Sequence, residues 1–441
     1  MSFARASANF CACAEARPPF LGSRAGNLGQ EGSDLEFALI FEGQVAYPSR
    51  VNERQVLRAA VDQATLADEL GFDRFYCVEH HGLESHAHSS APEIILSCIA
   101  ARTKQIRVAH GVVCLPFAIN HPIRVAERTS MLDILSDGRL DVGVGRSSST
   151  HEQLSFGVRD EDTHDQMLES MRAIVTMWTE DEIEWNSDLL QIPRRRIRPQ
   201  PVQQPHPPLS MACTRDDSFA LAARLGLGVL SNAADGPGQA RRKRAIYDAA
   251  IAARQPADMI AKAPNDHFGA TVFTVVRDDP EEARAYGMRG MRYFMEGARR
   301  WYKDDARPPD PDAWDDAENE TAIRRLLEGT NHGSALNWKA EVARQQVGVG
   351  LANSAFDPDD VLDARSSAMG TAKNTIEFVE RMADAGVDEC YFLIQMGGVP
   401  NDVVLESIRQ IGTKVIPHFR RAAPRTFAIS GPGQRDLRVD P

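Results

Sequence analysis

A chain of 441 residues, 43% hydrophobic and 25% charged, has the make-up of a globular protein able to bury a large core without a disulfide or metal staple. Its formal net charge of −12 argues against nucleic acid or an anionic membrane as a main partner. No apolar run approaches the roughly 20 residues that a membrane-spanning helix needs.

Residues 1–34 carry arginines and small residues but no continuous apolar stretch, and predict a disordered amino-terminal tail. A transit peptide is the alternative, because acids are sparse before Glu31. From there short apolar runs alternate with amphipathic ones. "EFALIF" (36–41) precedes a helix over 53–70 that stops at Gly71, and "RFYCVE" (74–79) precedes one over 91–102. Ser90 and Glu93 have capping-box spacing, with Pro92 in the first turn. "IRVAHGVVCLP" (106–116) leads into a helix over 121–135, on which Val125, Leu132 and Leu135 are expected to share a face. "RLDVGVGR" (139–146), "PLSMAC" (208–213), "GLGVLSN" (226–232) and "GATVFTVV" (269–276) continue the strands. Helices are expected around 161–178, 216–225, 238–254 and from Pro280. A helix over 371–385, "DECYFLIQM" (388–396) and a helix over 402–419 close the series.

Eight strand–helix units call for a parallel sheet and point to a closed (β/α)8 TIM barrel, which removes sheet edges. The rival, an open doubly wound sheet, lacks a G-x-G-x-x-G after its first strand. The barrel is expected over 35–425, with insertions near 180–207 and 298–368 and a carboxy-terminal tail over 426–441. The second insertion has a helical stretch of its own near 335–348. The basic run Arg194–Arg198 in the first reads as a solvated loop before an acid-binding surface. Seven cysteines, odd in number and mostly inside apolar runs, predict buried thiols in a reducing, cytoplasmic compartment. Cys11 and Cys13 form a lone C-x-C with no second pair nearby.

Function in such a barrel gathers at the carboxyl ends of the strands. Glu79, His80 and His81 follow the second strand, Gly111 and Val112 lie near the end of the third, Arg146 closes the fourth, and Thr214, Arg215 and Ser218 follow the fifth. Arg146 with the hydroxyls and the helix start near Asp216 reads as a phosphate cradle, opposed by Asp216 and Asp217; an ordinary capped helix beside a structural arginine is the plain alternative. Asp217, three residues after Thr214, has the spacing to cap that helix and point outward. The histidines of "EHHGLESHAH" (79–88) leave three readings open: a metal cage, a polar loop, and a single proton-transferring imidazole. Neighbours at a strand end point to opposite sides, so His80 and His81 are poorly placed to chelate one ion.

"EHH", "HSSAPE", "GVVCLPFAINHPIRVAERTSMLDILSDGRLDVGVGRSS", "PHPPLSMACTRDDSFALAARLGLGVLSN" and "QMGGVPNDVVLESIRQIGTKVIPHFR" resemble the bacterial luciferase-like flavin-dependent monooxygenases over about residues 35–421. The resemblance implies a (β/α)8 barrel that binds reduced FMN, or a deazaflavin in some branches. It assigns His80 as the active-site histidine and Arg146 as the arginine on the flavin phosphate. It places Thr214, Arg215 and Ser218 on the same phosphate and gives Gly111–Val112 a cis peptide against the isoalloxazine ring. The loop reads "TRDDS" where relatives often have "TSPES", which unsettles its individual contacts.

The activity implied is a two-component monooxygenase. A separate NAD(P)H-dependent flavin reductase supplies reduced FMN, O2 adds to give a flavin hydroperoxide, and this oxygenates a small organic substrate. His80, with an ordinary near-neutral pKa, would serve as hydrogen-bond donor or as acid and base. A hydride-transferring flavin or deazaflavin oxidoreductase that does not use O2 is the main alternative. A non-catalytic flavin-binding relative and a divalent-metal hydrolase using the histidines stand behind it. No resident metal is expected, and relatives are commonly dimers, so a homodimer is.

Overall fold

The computed structural model of the chain describes residues 35–84, 86–147, 149–231, 236–302 and 368–420. Both expected tails, Cys11 and Cys13, nearly all of the 298–368 insertion and its helical stretch at 335–348 lie outside the described residues. In chain order the first half comprises β1 (Glu36–Phe41), α1 (Arg50–Glu69), β2 (Arg74–Cys77), α2 (Pro92–Arg102), β3 (Arg107–Cys114), α3 (Pro122–Leu135), β4 (Leu140–Gly145), α4 (Thr150–Ser155) and α5 (Asp160–Thr179). Then come β5 (Ile183–Asn186), β6 (Gln191–Arg195), β7 (Leu209–Cys213), α6 (Asp216–Leu225), β8 (Gly228–Ser231), α7 (Gly236–Ala252), β9 (Phe268–Phe273), β10 (Val275–Val276) and α8 (Pro280–Tyr302). β11 (Met369–Gly370), α9 (Ala372–Asp384), β12 (Glu389–Leu393) and α10 (Asn401–Gln410) follow.

Eight of the strands close into a parallel barrel in the order β1-β2-β3-β4-β7-β8-β9-β12 and back to β1. Strand alternation sorts the residues. Phe37, Leu39 and Phe41 of β1 join the core between barrel and helices, while Ala38 packs inside with Tyr76, Ala109, Leu230 and Tyr391. Below that aromatic layer lies an ionic one. Arg74 Nε meets Asp141 at 2.8 Å, its Nη1 meets Glu36 at 3.0 Å and also Glu389, and Tyr76 donates to Glu389 at 2.8 Å. The strand register brings these together: Glu36 pairs with Glu389 and Ala38 with Arg74. The inside is therefore a stack of layers, charged at the amino end and open at the carboxyl end.

Local chemistry sets the element boundaries. Ser49 caps α1 by accepting from the Asn52 N–H, and Gly71 leaves the helix at φ 81°. The capping box expected at Ser90 does not form. Pro92 occupies the first helical position, which makes Ala91 the N-cap, and Glu93 pairs with Arg128 at 3.1 Å instead. Val125 and Leu132 are buried as expected, but Leu135 is 64% exposed, since ten residues on from Val125 it sits about 80° round the helix. "GATVFTVV" divides: β9 stays in the barrel, whereas β10 leaves it to pair with β11. The helix expected over 402–419 begins as α10 and continues through a π turn at Ile411–Val415.

The first insertion is a β5–β6 antiparallel hairpin rather than a loop. Its arginines are answered within it, Arg194 by Glu184 at 3.4 Å and Arg196 by Asp181 at 3.3 Å. Among the described residues no helix is long and apolar enough to cross a membrane.

Candidate active site

The carboxyl ends of the strands surround a cavity of about 650 Å³, within the roughly 300–1,000 Å³ of small-molecule sites. All seven residues singled out from the sequence line it: His80, Gly111, Val112, Arg146, Thr214, Arg215 and Ser218. Two further carboxylates line it that sequence reasoning missed, Glu42 and Glu152.

His80 leaves the end of β2 and its Nδ1 lies 3.0 Å from Glu152 Oε1. Glu152 comes from α4, whose N-cap Ser149 accepts from the Glu152 N–H. That S-x-x-E spacing would assign Glu152 to its own helix cap, yet its carboxylate reaches across to His80 and also accepts from the His81 N–H at 2.8 Å. Burial alone would discharge His80, but the Glu152 charge overrides it and raises the imidazole to about 9. Glu152 is held below its ordinary value in return, its burial outweighed by His80. The near-neutral histidine expected from the sequence is thus corrected: at pH 7 His80 is a cation and a donor.

The other histidines go elsewhere. His81 Nε2 lies 2.9 Å from Glu79 Oε1, and Glu79 also accepts from Cys114 N–H at 2.9 Å and Asn120 Nδ2 at 2.7 Å. His86 is buried with Nδ1 3.0 Å from Gln44 Nε2, and His88 Nδ1 lies 3.1 Å from the Gly43 carbonyl oxygen. His80 and His81 therefore face different carboxylates, as expected for neighbours at a strand end. The one metal-capable grouping among the described residues is Glu36, His267 and Glu389, in the ionic layer, where the Arg74 guanidinium already pairs with both carboxylates.

Just past the end of β4, Arg146 donates to Thr163 Oγ1 at 2.7 Å and pairs with Asp160 at 3.2 Å. Ser147, next to it, holds a left-handed φ of 61°, a conformation that costs a non-glycine residue on the order of 1–2 kcal/mol. Ser218 Oγ accepts from the Thr214 and Arg215 N–H groups, each at 3.2 Å, and donates back to the Arg215 carbonyl. Arg215 is thus the N-cap of α6 and Ser218 does the capping that the spacing gave to Asp217. Asp217 instead lines the cavity in an ion pair with Arg215, and Asp216 pairs with Arg242 at 2.7 Å, so both acids next to the anion site are compensated.

The fit of a flavin nucleotide can be judged from these groups. The Gly111–Val112 bond is cis. A Cβ on Gly111 would stand 3.0 Å from Tyr76 Cδ1, and one on Gly145 would stand 2.7 Å from Val112 Cγ2. Side chains there would crowd the cavity floor, so the glycines keep a flat ledge open for a planar ring. Arg146, the two hydroxyls and the start of α6 form a donor set suited to a phosphate. The residues fit reduced FMN; they fit the phosphate-bearing deazaflavin equally.

The model of the family described as luciferase-like monooxygenase matches residues 36–389. The oxygenase component of flavin-dependent trigonelline monooxygenase from Acinetobacter baylyi is 31% identical over 186 residues, which is 41% of this chain and 51% of that protein. The chain thus spans about half the length of that relative. The F420-dependent hydroxymycolic acid dehydrogenase of Mycobacterium tuberculosis is 28% identical over 230 residues, 51% of this chain and 61% of that one. The crystal structure of monooxygenase RslO1 from Streptomyces bottropensis superposes with a TM-score of 0.65 at 22% identity, covering 87% of this chain and all of the other.

Proposed function

The chain belongs to the luciferase-like monooxygenase family, and on that premise we propose that it is the oxygenase of a two-component system, taking reduced FMN from a separate NAD(P)H-dependent flavin reductase and using O2 to oxygenate a small organic substrate. The observation that carries this reading is one cavity lined both by an imidazole that a carboxylate holds toward its charged form and by an arginine-and-hydroxyl anion site. Bound reduced flavin would supply the electrons that activate O2.

The protein's own residues do the rest. Arg146, Thr214, Arg215 and Ser218 hold the phosphate end, and the Gly111–Val112 ledge supports the ring. His80, kept charged by Glu152, donates a hydrogen bond or a proton to oxygen at the reacting centre. The apolar floor of Ile40, Tyr76, Leu230 and Tyr391 keeps water away from it. The test is oxygen uptake with photoreduced FMN and with a flavin reductase; FMN-independent behaviour would end the reading. Arg146→Ala is expected to weaken FMN binding about 10- to 100-fold, the size of a lost charged hydrogen-bond pair. Quenching of FMN fluorescence measures it, and an unchanged affinity would remove Arg146 from the phosphate.

The second reading, hydride transfer with a deazaflavin and no O2, has support in the F420-dependent relative. Anaerobic turnover with reduced F420 would select it. We also propose a cytoplasmic homodimer. Four of the five described cysteines are buried, as suits a reducing compartment, and Ile94 of α2 with Met131, Ile134 and Leu135 of α3 form exposed apolar ground on two helices packed together. Sedimentation should then give a dimer that Met131→Asp converts to monomer; a monomeric parent would reject it.

A further inference from the structure

Glu42 stands directly after β1, at the floor of the cavity, and is 5% exposed. The other cavity carboxylates are answered: Glu79 by a backbone N–H, Asn120 and His81; Glu152 by His80 and the His81 N–H; Asp217 by Arg215. Glu42 Oε2 has no hydrogen-bond partner among the described residues. Glu42 feels the charges of both His80 and Glu152, so one imidazolium sits against two carboxyl groups. That group carries a net −1 when both are ionised. A buried carboxyl without a partner is costly, and a bound molecule that supplies a donor removes the cost. Around Glu42 the floor is apolar and aromatic, with Ile40, Tyr76, Leu230 and Tyr391.

We propose that Glu42 is the substrate anchor, and that the substrate is an organic cation: an apolar or aromatic body carrying a protonated amine or other cationic nitrogen that pairs with the Glu42 carboxylate. The inference rests on the flavin reading above and adds the substrate class. It divides the cavity by charge, with the nucleotide's anionic end against Arg146 and the α6 loop and the substrate's cationic end against Glu42. Burial pushes the Glu42 carboxyl above its ordinary value, and a cation paired with it acts in the opposite direction.

The test uses the whole protein loaded with FMN and three probes of one shape: benzylamine, benzyl alcohol and benzoate, titrated at neutral pH by calorimetry. FMN binding is measured first by fluorescence quenching. Benzylamine is expected to bind at least about 10-fold more tightly than either of the others, and Glu42→Gln to abolish that preference with FMN affinity unchanged. Because Glu42 Oε2 has no hydrogen-bond partner among the described residues to lose, Glu42→Gln is also expected to keep or raise the melting temperature. Equal binding of the three probes, a preference for benzoate, or a preference that survives Glu42→Gln overturns the proposal, and so does a variant that unfolds, which would make Glu42 structural. If FMN itself fails to bind, the flavin reading falls, and the same titration of the cofactor-free protein still decides for or against the cation anchor.

Discussion

His80→Ala is expected to lower coupled oxygenation by about 10²- to 10⁴-fold, the range of a lost general acid, with FMN affinity within about threefold of the parent. The two readouts separate because His80 is held by Glu152, while Arg146 is held by Thr163 and Asp160. The pH profile identifies the protonation state that works. In the parent His80 is raised to about 9, so activity that needs the imidazolium is full at neutral pH and falls as pH rises through about 9. Glu152→Gln removes the largest of the charges that oppose burial, so the fall moves to lower pH. The same pair contributes to stability. Its contribution is complete between about pH 4.5 and 6.5, fades as pH rises through about 9 with the loss of the His80 proton, and is also lost on acidification below about 4.5 as Glu152 takes up a proton. A folded, FMN-binding His80→Ala protein with parental turnover would show that the imidazole is a bystander.

Much of the barrel could be read from the chain because its evidence is local. Strands as short as "RFYC" and "GVLS" are largely apolar and buried at every position, as parallel strands covered on both faces are, and each meets a helix with its own stop signal such as Gly71 or Gly226. The gathering of His80, Arg146 and Ser218 at one mouth followed from the fold, since strand ends of a barrel share a rim whatever their separation in sequence. Glu152 was not readable. Its spacing from Ser149 is that of a helix cap, and only tertiary structure shows the carboxylate crossing 72 positions to His80. Asp217 failed in the same way, because Arg215 competes for it and Ser218 is nearer the free N–H groups. Glu42 carried no signal at all beyond following a strand. The ionic layer was hidden for a further reason: Glu36, Arg74, Asp141 and Glu389 each look like a polar residue at the edge of an apolar run, and the register alone stacks them.

That layer makes the second large prediction. Arg74→Met is expected to destabilise the protein by about 3–5 kcal/mol at neutral pH, read from the urea midpoint, because it strands charges rather than merely deleting a contact. Asp141 keeps Arg107, at 2.6 Å, but the Glu389 side chain is wholly buried and retains the Tyr76 hydroxyl and the charge of His267 in place of a direct ion pair. Burial already raises Glu389 even with Arg74 beside it, and the two carboxyls Glu36 and Glu389 repel each other. Glu36, by contrast, is held well below the carboxylate range against its burial by Arg74 and His267, so in the parent its contribution to stability is present above about pH 4.5 and lost on further acidification. Without Arg74 the balance shifts toward Glu389. Glu389, already raised, loses the charge that opposed its burial, so the variant's deficit is largest at neutral pH and shrinks as pH falls toward about 4.5. Arg74→Met combined with Glu389→Gln is expected to recover part of the loss at pH 7, since the buried charge is gone while the amide can still accept from Tyr76. A single variant as stable as the parent at pH 7 would mean that Glu389 is already protonated there, and the barrel floor would be held by Tyr76 and packing instead of by the arginine.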